Sequence, residues 1–509
     1  MWAQARSRNA LKLAPLISQC LLPSAAPLLI FFRSWVFLFG CIHASAVRRI
    51  TPTRLRRLWQ QPYRFSLHLS SSWCRHQVEA LGRRYNDLRV AITNESLKVQ
   101  VTAMTAGPNA IARVGMERVM IPAAAPGDVL AIEIRAHKRD YALASIVRVV
   151  RPSAERRQPP CPYAARCGGC DWQHLRYGGQ TRFKAEMLAA EFRRGLGVKL
   201  DPNQLVEPAP AEFGYRSRVR LKVGSGGQIG FHRAGTNSLV AVEACLVAAP
   251  PFAAAAQLAR ALAHRCVEIE VVEAARGEVL ISNLVKGPGP LERRIAVQMI
   301  EKGTSGVILR GDNLREVFGD VRIECAAEPD CVIEADADLF SQVNRPQNLK
   351  LVAKVMQLAK ISPATHVLDL FCGSGNFSLP AARRTTHVIG VDRDGLAIEA
   401  ARANAQRMQL SGTQFIAMHA AEGLRFLLRT GYCPDVVIMD PPRAGAADLI
   451  EPAVLLKPRR MIYVSCNPTT LIRDLQQLDL HGYKVEEVNA WDFFPNTHHI
   501  ETVTSLLLT

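Results

Sequence analysis

Residues 462–468, Ile-Tyr-Val-Ser-Cys-Asn-Pro, put a thiol where ligands are usually met. A buried apolar run stops at Cys466, and Asn467-Pro468 then ends a strand and can open a helix. The thiol therefore sits at a strand's carboxyl end, the rim on which open α/β sheets bind ligands, and a thiolate there can serve as a nucleophile. Far upstream, Cys161, Cys167 and Cys170 form a C-x5-C-x2-C array with two glycines between the closer pair. That spacing lets the backbone wrap closely around an inorganic centre. The array needs a fourth ligand: zinc would accept His174 or a distant cysteine, whereas an iron-sulfur cubane takes another thiolate, for which Cys245 is the nearest downstream candidate. A third group follows the apolar run His366–Phe371, where Cys372-Gly373-Ser374-Gly375-Asn376 makes a glycine-rich turn. Gly373 and its neighbours let a ligand approach the backbone, and the turn lacks a pyrophosphate cradle, so it suits an adenosyl ligand without phosphates. Asp392 ends a second apolar run about twenty residues on, where a carboxylate can accept both ribose hydroxyls.

The elements that must position these groups read as a multidomain chain. Residues 96–152 alternate in short strands with turn residues between them, the pattern of an OB-like β-barrel; its basic cluster Arg135, His137, Lys138 and Arg139 is either a solvated hairpin or a nucleic-acid contact. Residues 153–335 read as a mixed α+β domain that carries the cysteine loop, with a helix over 180–194. Here Arg216, Arg218, Arg220 and Lys222 recur at every second position, which aligns four cations on one face of a strand. With no acids between them they repel one another, and phosphate contacts are expected; Phe231, His232 and Arg233 would extend that surface. Cys266, Cys325 and Cys331 read as structural or incidental. Residues 336–509 alternate strands and helices and end in a strand pair, the α/β Rossmann-like, doubly wound plan of S-adenosylmethionine-dependent methyltransferases. In it Asp440-Pro441-Pro442-Arg443 follows the fourth strand as a loop facing both cofactor and substrate.

Composition bounds the rest. With 48% hydrophobic and 21% charged residues the chain is that of a globular protein, and 13 cysteines, an odd number, do not make a disulfide framework but suit a reducing compartment. The net charge of +18 is mostly local, because residues 1–97 hold 14 Lys plus Arg against Glu79, Asp87 and Glu95. RNA binding by the body must therefore be argued from patches. Residues 1–95 imitate a leader without matching one: Ala25–Gly40 is apolar but interrupted by Arg33 and short for a membrane span. They are expected to be a disordered extension or a start-site artefact.

From about residue 97 to 509 the chain resembles the RNA uracil-5-methyltransferases, above all the bacterial 23S ribosomal RNA branch with a TRAM domain and a cluster. Five linked motifs carry the resemblance: the barrel, the cysteine array with Cys245, Phe340-Ser-Gln342-Val-Asn344, Asp440-Pro-Pro-Arg443, and Ser465-Cys466-Asn467-Pro468 followed by His498-His499-Ile500-Glu501. The resemblance implies a [4Fe-4S] cluster on Cys161, Cys167, Cys170 and Cys245. It also implies an S-adenosylmethionine site lined by Gln342, Phe371, Asn376, Asp392 and Asp440. Near the third strand, where the family often has Asn or Asp, this chain has His419, and no cofactor role is carried onto it. Cys372 is only a neighbour of the cofactor.

The chemistry follows from the residues as well. Carbon 5 of uracil is a poor nucleophile until a thiolate adds to carbon 6, which is work for Cys466. The carbon 5 proton must then leave, and Glu501 opens a last strand expected to run antiparallel, so its start shares the rim with Asp440 and Cys466. Arg443 would help orient the base. The target uridine must be single-stranded or flipped out of its stack. The expected protein is thus a cytoplasmic, monomeric enzyme on 23S ribosomal RNA, with no membrane and no stable protein partner. The alternatives are a transfer-RNA uracil-5-methyltransferase, a branch that generally lacks barrel and cluster, and a non-catalytic RNA-binding or assembly protein on the same scaffold.

Overall fold

The computed structural model describes residues 96–509, and the expected extension over 1–95, with its apolar run, lies outside the described residues. Strands β1 (Leu97–Met104), β2 (Asn109–Val114), β3 (Glu117–Pro122), β4 (Val129–His137) and β5 (Ala142–Arg151) close into a barrel of order β1-β2-β3-β5-β4, with β1 pairing back onto β4. Alternation drives the closure. Val99, Val101, Ala110, Ala112, Val119, Ile121, Leu130 and Ile132 are buried, and in β1 and β2 the residues between them are more exposed.

After the cysteine loop come helix α1 (Tyr177–Leu196) and the short strand β6 (Val206–Glu207). A seven-stranded sheet follows, built from β7 (Arg218–Val223), β8 (Ile229–His232), β9 (Leu239–Ala241), β10 (Cys266–Ala274), β11 (Gly277–Leu284), β12 (Gly306–Gly311) and β13 (Leu314–Gly319). Helices α2 (Ala253–Ala261) and α3 (Pro290–Glu301) cover it, and β14 (Arg322–Glu328) with β15 (Cys331–Asp336) forms a separate ribbon.

The expected row of four free cations is overturned for three of them, while Arg216 lies before β7 and donates to the Arg218 carbonyl at 3.0 Å. Strand β10 pairs antiparallel with β7 and sets Glu270 opposite Arg220 and Glu268 opposite Lys222. Arg220 reaches Glu270 at 2.8 Å and Glu268 at 3.3 Å, Lys222 pairs with Glu268, and Arg218 meets Glu270 at 3.5 Å while donating to the Leu339 carbonyl at 2.6 Å. The neutralising acids arrive about fifty residues later in the chain, so local spacing could not reveal them.

The C-terminal sheet combines β16 (Val367–Leu370), β17 (Val388–Asp392), β18 (Thr413–Ala417), β19 (Val436–Met439), β20 (Arg460–Ser465), β21 (Tyr483–Trp491) and β22 (Glu501–Leu508) in the order β18-β17-β16-β19-β20-β22-β21-β6. Its pairs are parallel except those of β22, which runs against both neighbours. Helices α4 (Arg345–Ala359), α5 (Ser378–Ala382), α6 (Gly395–Arg407), α7 (Ala420–Arg429), α8 (Ile450–Leu455) and α9 (Pro468–Leu480) connect the strands. With both faces covered, β16, β19 and β20 are buried at every residue, hence their mainly apolar runs, which Asp369 interrupts in β16.

In space, part of the central segment belongs to this sheet. Met187, Leu188 and Phe192 of α1 share one core with Leu368, Val437 and Tyr463, and β6 extends the sheet beside β21. Lys184 of α1 is completely buried and pairs with buried Asp492 at 2.6 Å. Removing one partner would strand a buried charge, at a cost of roughly 3–5 kcal/mol. The expected boundary at 335 therefore divides the chain but not the packing, because α1 needs a sheet face for its apolar side. Among the described residues no helix is long and apolar enough to cross a membrane.

Candidate active site

Cys466 directly follows Ser465, the last residue of β20. Asn467 caps α9 by accepting from the Thr469 amide at 3.2 Å, and Pro468 takes the first helical position. Opposite, β22 starts at Glu501, and the register Ser465↔Thr502 brings that start to the carboxyl end of β20. Asp440 lies just past β19 on the same rim. The loop after it is tied to α9: Asn467 Nδ2 and Thr470 Oγ1 both donate to the Arg443 carbonyl, at 3.0 and 3.1 Å. Buried Asp474 accepts from the Ala446 amide and the Tyr463 hydroxyl, each at 2.6 Å.

The electrostatics describe a thiol and acids that hold their protons. Burial, then the nearby Glu501 and Asp440, push the Cys466 thiol up to about 11, while Arg443 works the other way. Glu501 is 4% exposed. Burial and Asp440 raise its carboxyl well above the usual range, against Arg443. Burial lifts Asp440 to about 7. The Arg443 guanidinium donates to His499 Nε2 at 2.9 Å, and burial, His498 and Arg443 together depress that imidazole to about 3, so it stays a neutral acceptor.

Beside this rim lies a cavity lined by Gln342, Phe371, Gly373, Asn376 and Asp440, with exposed Phe340 at its edge. The turn that forms it is tight. Phe371 (φ 65°), Gly373 (φ 53°) and Gly375 (φ 103°) are left-handed, and a Cβ on Gly375 would meet Leu379 at 2.7 Å. Asp392 is not in the lining; its carboxylate closes the turn by accepting from the Gly373 amide at 3.0 Å and from the Asp394 amide at 2.9 Å. Asn376 exchanges two amide hydrogen bonds with Asn348 of α4, at 2.9 and 3.0 Å. His419 is exposed at the start of α7 and away from the cavity.

Sequence reasoning passed over Asp369, a fully buried acid beneath the turn whose Oδ2 accepts from the Ser378 hydroxyl at 2.5 Å while Oδ1 has no partner. An acid inside the otherwise apolar strand Val-Leu-Asp-Leu was the available signal.

Cys161, Cys167, Cys170 and Cys245 line one cavity, with Tyr163, Phe231 and Val219 around them. Burial raises Cys170 to about 12, and the thiols Cys245, Cys167 and Cys161 add to it. His174 is turned elsewhere, with Nε2 3.1 Å from the Ala124 carbonyl in the barrel. Among the described residues no three His, Cys, Asp or Glu side chains converge on a single metal-ion position.

One antiparallel strand inserted between parallel ones, with a glycine turn after the first strand and an adjoining cavity, defines a methyltransferase fold. A family model described as tRNA (Uracil-5-)-methyltransferase matches residues 292–509. The chain is 30% identical over 430 residues to the 23S rRNA (uracil(1939)-C(5))-methyltransferase RlmD of Pectobacterium atrosepticum, covering 82% of this chain and 95% of that protein. To the protein of the same name from Shewanella sp. it is 32% identical over 406 residues, covering 76% and 90%. A crystal structure of Pyrococcus abyssi tRNA (uracil-54, C5)-methyltransferase with S-adenosyl-L-homocysteine is similar at a TM-score of 0.63 and 26% identity, covering 80% of this chain and 99% of that one. The chain belongs to the RNA uracil-5-methyltransferase family. The Pyrococcus match spans a larger share than residues 153–509 make up, so the barrel region does not by itself separate ribosomal from transfer-RNA enzymes.

Proposed function

We propose that this protein methylates carbon 5 of a uridine in 23S ribosomal RNA through a covalent adduct between Cys466 and carbon 6. The observation that carries this is the meeting of Cys466 and Glu501 at one rim, from strands that run in opposite directions. Cys466 loses its proton to solvent and its thiolate adds to carbon 6, so that the ring becomes an enolate nucleophilic at carbon 5. S-Adenosylmethionine, when bound, supplies the electrophilic methyl group. Glu501, which must first give up the proton that burial holds on it, then takes the carbon 5 proton as carboxylate; the carbon 5–hydrogen electron pair re-forms the ring double bond and the carbon 6–sulfur bond breaks to release the thiolate. Arg443, aimed by His499, orients the base. Gln342, Phe371, Gly373, Asn376 and Asp440 hold the donor, with Asp392 shaping the turn beneath it; the cavity beside the rim and the left-handed backbone support that fit.

Cys161, Cys167, Cys170 and Cys245 are proposed to carry a [4Fe-4S] cluster. Four thiols line one cavity, the number a cubane takes with one thiolate on each iron. His174, committed to the barrel, is not the fourth ligand. The barrel of residues 96–152 serves as a TRAM-type RNA-holding domain, residues 153–335 carry the cluster loop, and residues 336–509 the chemistry. The enzyme works as a monomer in the cytoplasm. The Pyrococcus relative keeps transfer RNA as the second reading; the higher identity of the ribosomal enzymes, 30% and 32% against 26%, favours the first.

Mapping 5-methyluridine by mass spectrometry in ribosomal and transfer RNA from a deletion strain tests both. Loss at a single 23S position, with 1939 examined first, is expected. Loss confined to transfer RNA overturns the assignment.

A further inference from the structure

The residue directly after Cys170 reaches the other end of the chain. Asp171 Oδ1 accepts from the His498 amide at 3.0 Å, and Oδ2 lies 2.5 Å from His498 Nδ1. The next residue, Trp172, is completely buried and donates its amide to the Asn496 carbonyl at 3.0 Å. Two consecutive residues of the cysteine loop therefore pin the main chain of residues 496–498 twice and hold one imidazole. The His498 ring lies against His499, with centroids 4.0 Å apart, and His499 accepts from Arg443. The directions are set by chemistry. A carboxylate only accepts, so His498 Nδ1 carries the proton; a guanidinium only donates, so His499 Nε2 presents a lone pair. Glu501 follows two residues later on the same segment.

We propose that Asp171 is a positioning residue of the active site: by fixing His498 it seats His499 and so aims the Arg443 guanidinium at the substrate base. The inference rests on the uridine chemistry assigned above to Cys466 and Glu501. It makes the cysteine loop a wall of the catalytic rim as well as a holder of thiols. Asp171 is absent from the lining of the donor cavity, so its effect should fall on RNA and not on the methyl donor.

The test compares the full chain with Asp171→Ala, His498→Ala, the double variant and Asp171→Asn on a 23S RNA fragment. For either alanine variant kcat/KM for RNA should fall roughly 10- to 100-fold, the scale of a lost charge-assisted hydrogen bond or a displaced group. The double variant should lose no more than the singles, KM for S-adenosylmethionine should stay within about twofold, and Asp171→Asn should recover part of the loss by keeping one acceptor oxygen. Wild-type kcat/KM in Asp171→Ala, losses that multiply in the double variant, or equal weakening toward the methyl donor would each overturn the proposal. A second measurement needs no turnover. With 15N-histidine labelling, the His498 Nδ1 proton should appear far downfield in the wild type and vanish in Asp171→Ala, and its absence from the wild type also overturns the proposal. A wild-type protein that methylates no uridine would instead remove the functional reading, while the histidine resonance still reports the link.

Discussion

Replacing Asp369 with Asn should stabilise the ligand-free protein at pH 8 and leave it nearly unchanged near pH 4. Burial drives the Asp369 carboxyl from 3.8 up to about 7; the Ser378 hydroxyl opposes the shift, and Asp440 and Asp392 reinforce it. In the unfolded chain the group ionises at its ordinary value. Between there and about 7 the unfolded state gives up its proton while the folded state keeps it. The stability this group contributes is therefore whole below the unfolded value and is lost as pH rises toward the folded one. About three pKa units at ~1.4 kcal/mol each amount to ~4 kcal/mol. Asparagine is neutral throughout and its carbonyl can still accept from Ser378, so the variant escapes the loss. Urea unfolding of both proteins at pH 4.5, 6 and 8 measures this. The advantage of Asp369→Asn should grow by ~3 kcal/mol from the lowest to the highest pH. A difference that does not change with pH would refute a neutral, buried Asp369. The carboxylate beneath the donor cavity is thus held at the expense of the empty protein's stability, as buried acids at functional sites often are.

Four further outcomes are expected. Cys466→Ala should abolish methylation and leave RNA affinity nearly intact in a filter-binding assay; unchanged turnover would remove the covalent mechanism. Glu501→Gln should slow turnover roughly 10²- to 10⁴-fold and accumulate a protein–RNA adduct on denaturing gels with the methyl donor present. No adduct would count against Glu501 as the base. Cys245→Ser should lower both iron and acid-labile sulfide in anaerobically purified protein, whereas full retention of both would exclude it as a ligand. Arg220→Ala with Lys222→Ala should leave RNA affinity within about twofold, because Glu268 and Glu270 already neutralise these cations; a large loss would restore the row as a phosphate surface.

What the sequence determined by itself was whatever depends on short-range pattern. The mainly apolar runs of β16, β19 and β20, the glycine turn at 373–375, the Asn467-Pro468 helix start and the alternating barrel strands are all properties of neighbouring residues, and each could be read along the chain. That the start of β22 lies beside the end of β20 was also legible, since an antiparallel last strand must begin where its parallel neighbour ends. Only the tertiary structure could decide the rest, because pairing partners are chosen in space. The cations of β7 looked unpaired until β10 brought Glu268 and Glu270 beside them. Helix α1 read as part of the central segment until its apolar face met the C-terminal sheet. His174, a candidate ligand by spacing, turned to the Ala124 carbonyl. Asp171, an unremarked acid beside Cys170, proved to hold His498 from 327 residues away. Charge neutralisation, burial and hydrogen-bond completion are satisfied between segments, and one strand's residues do not say which other segment will supply them.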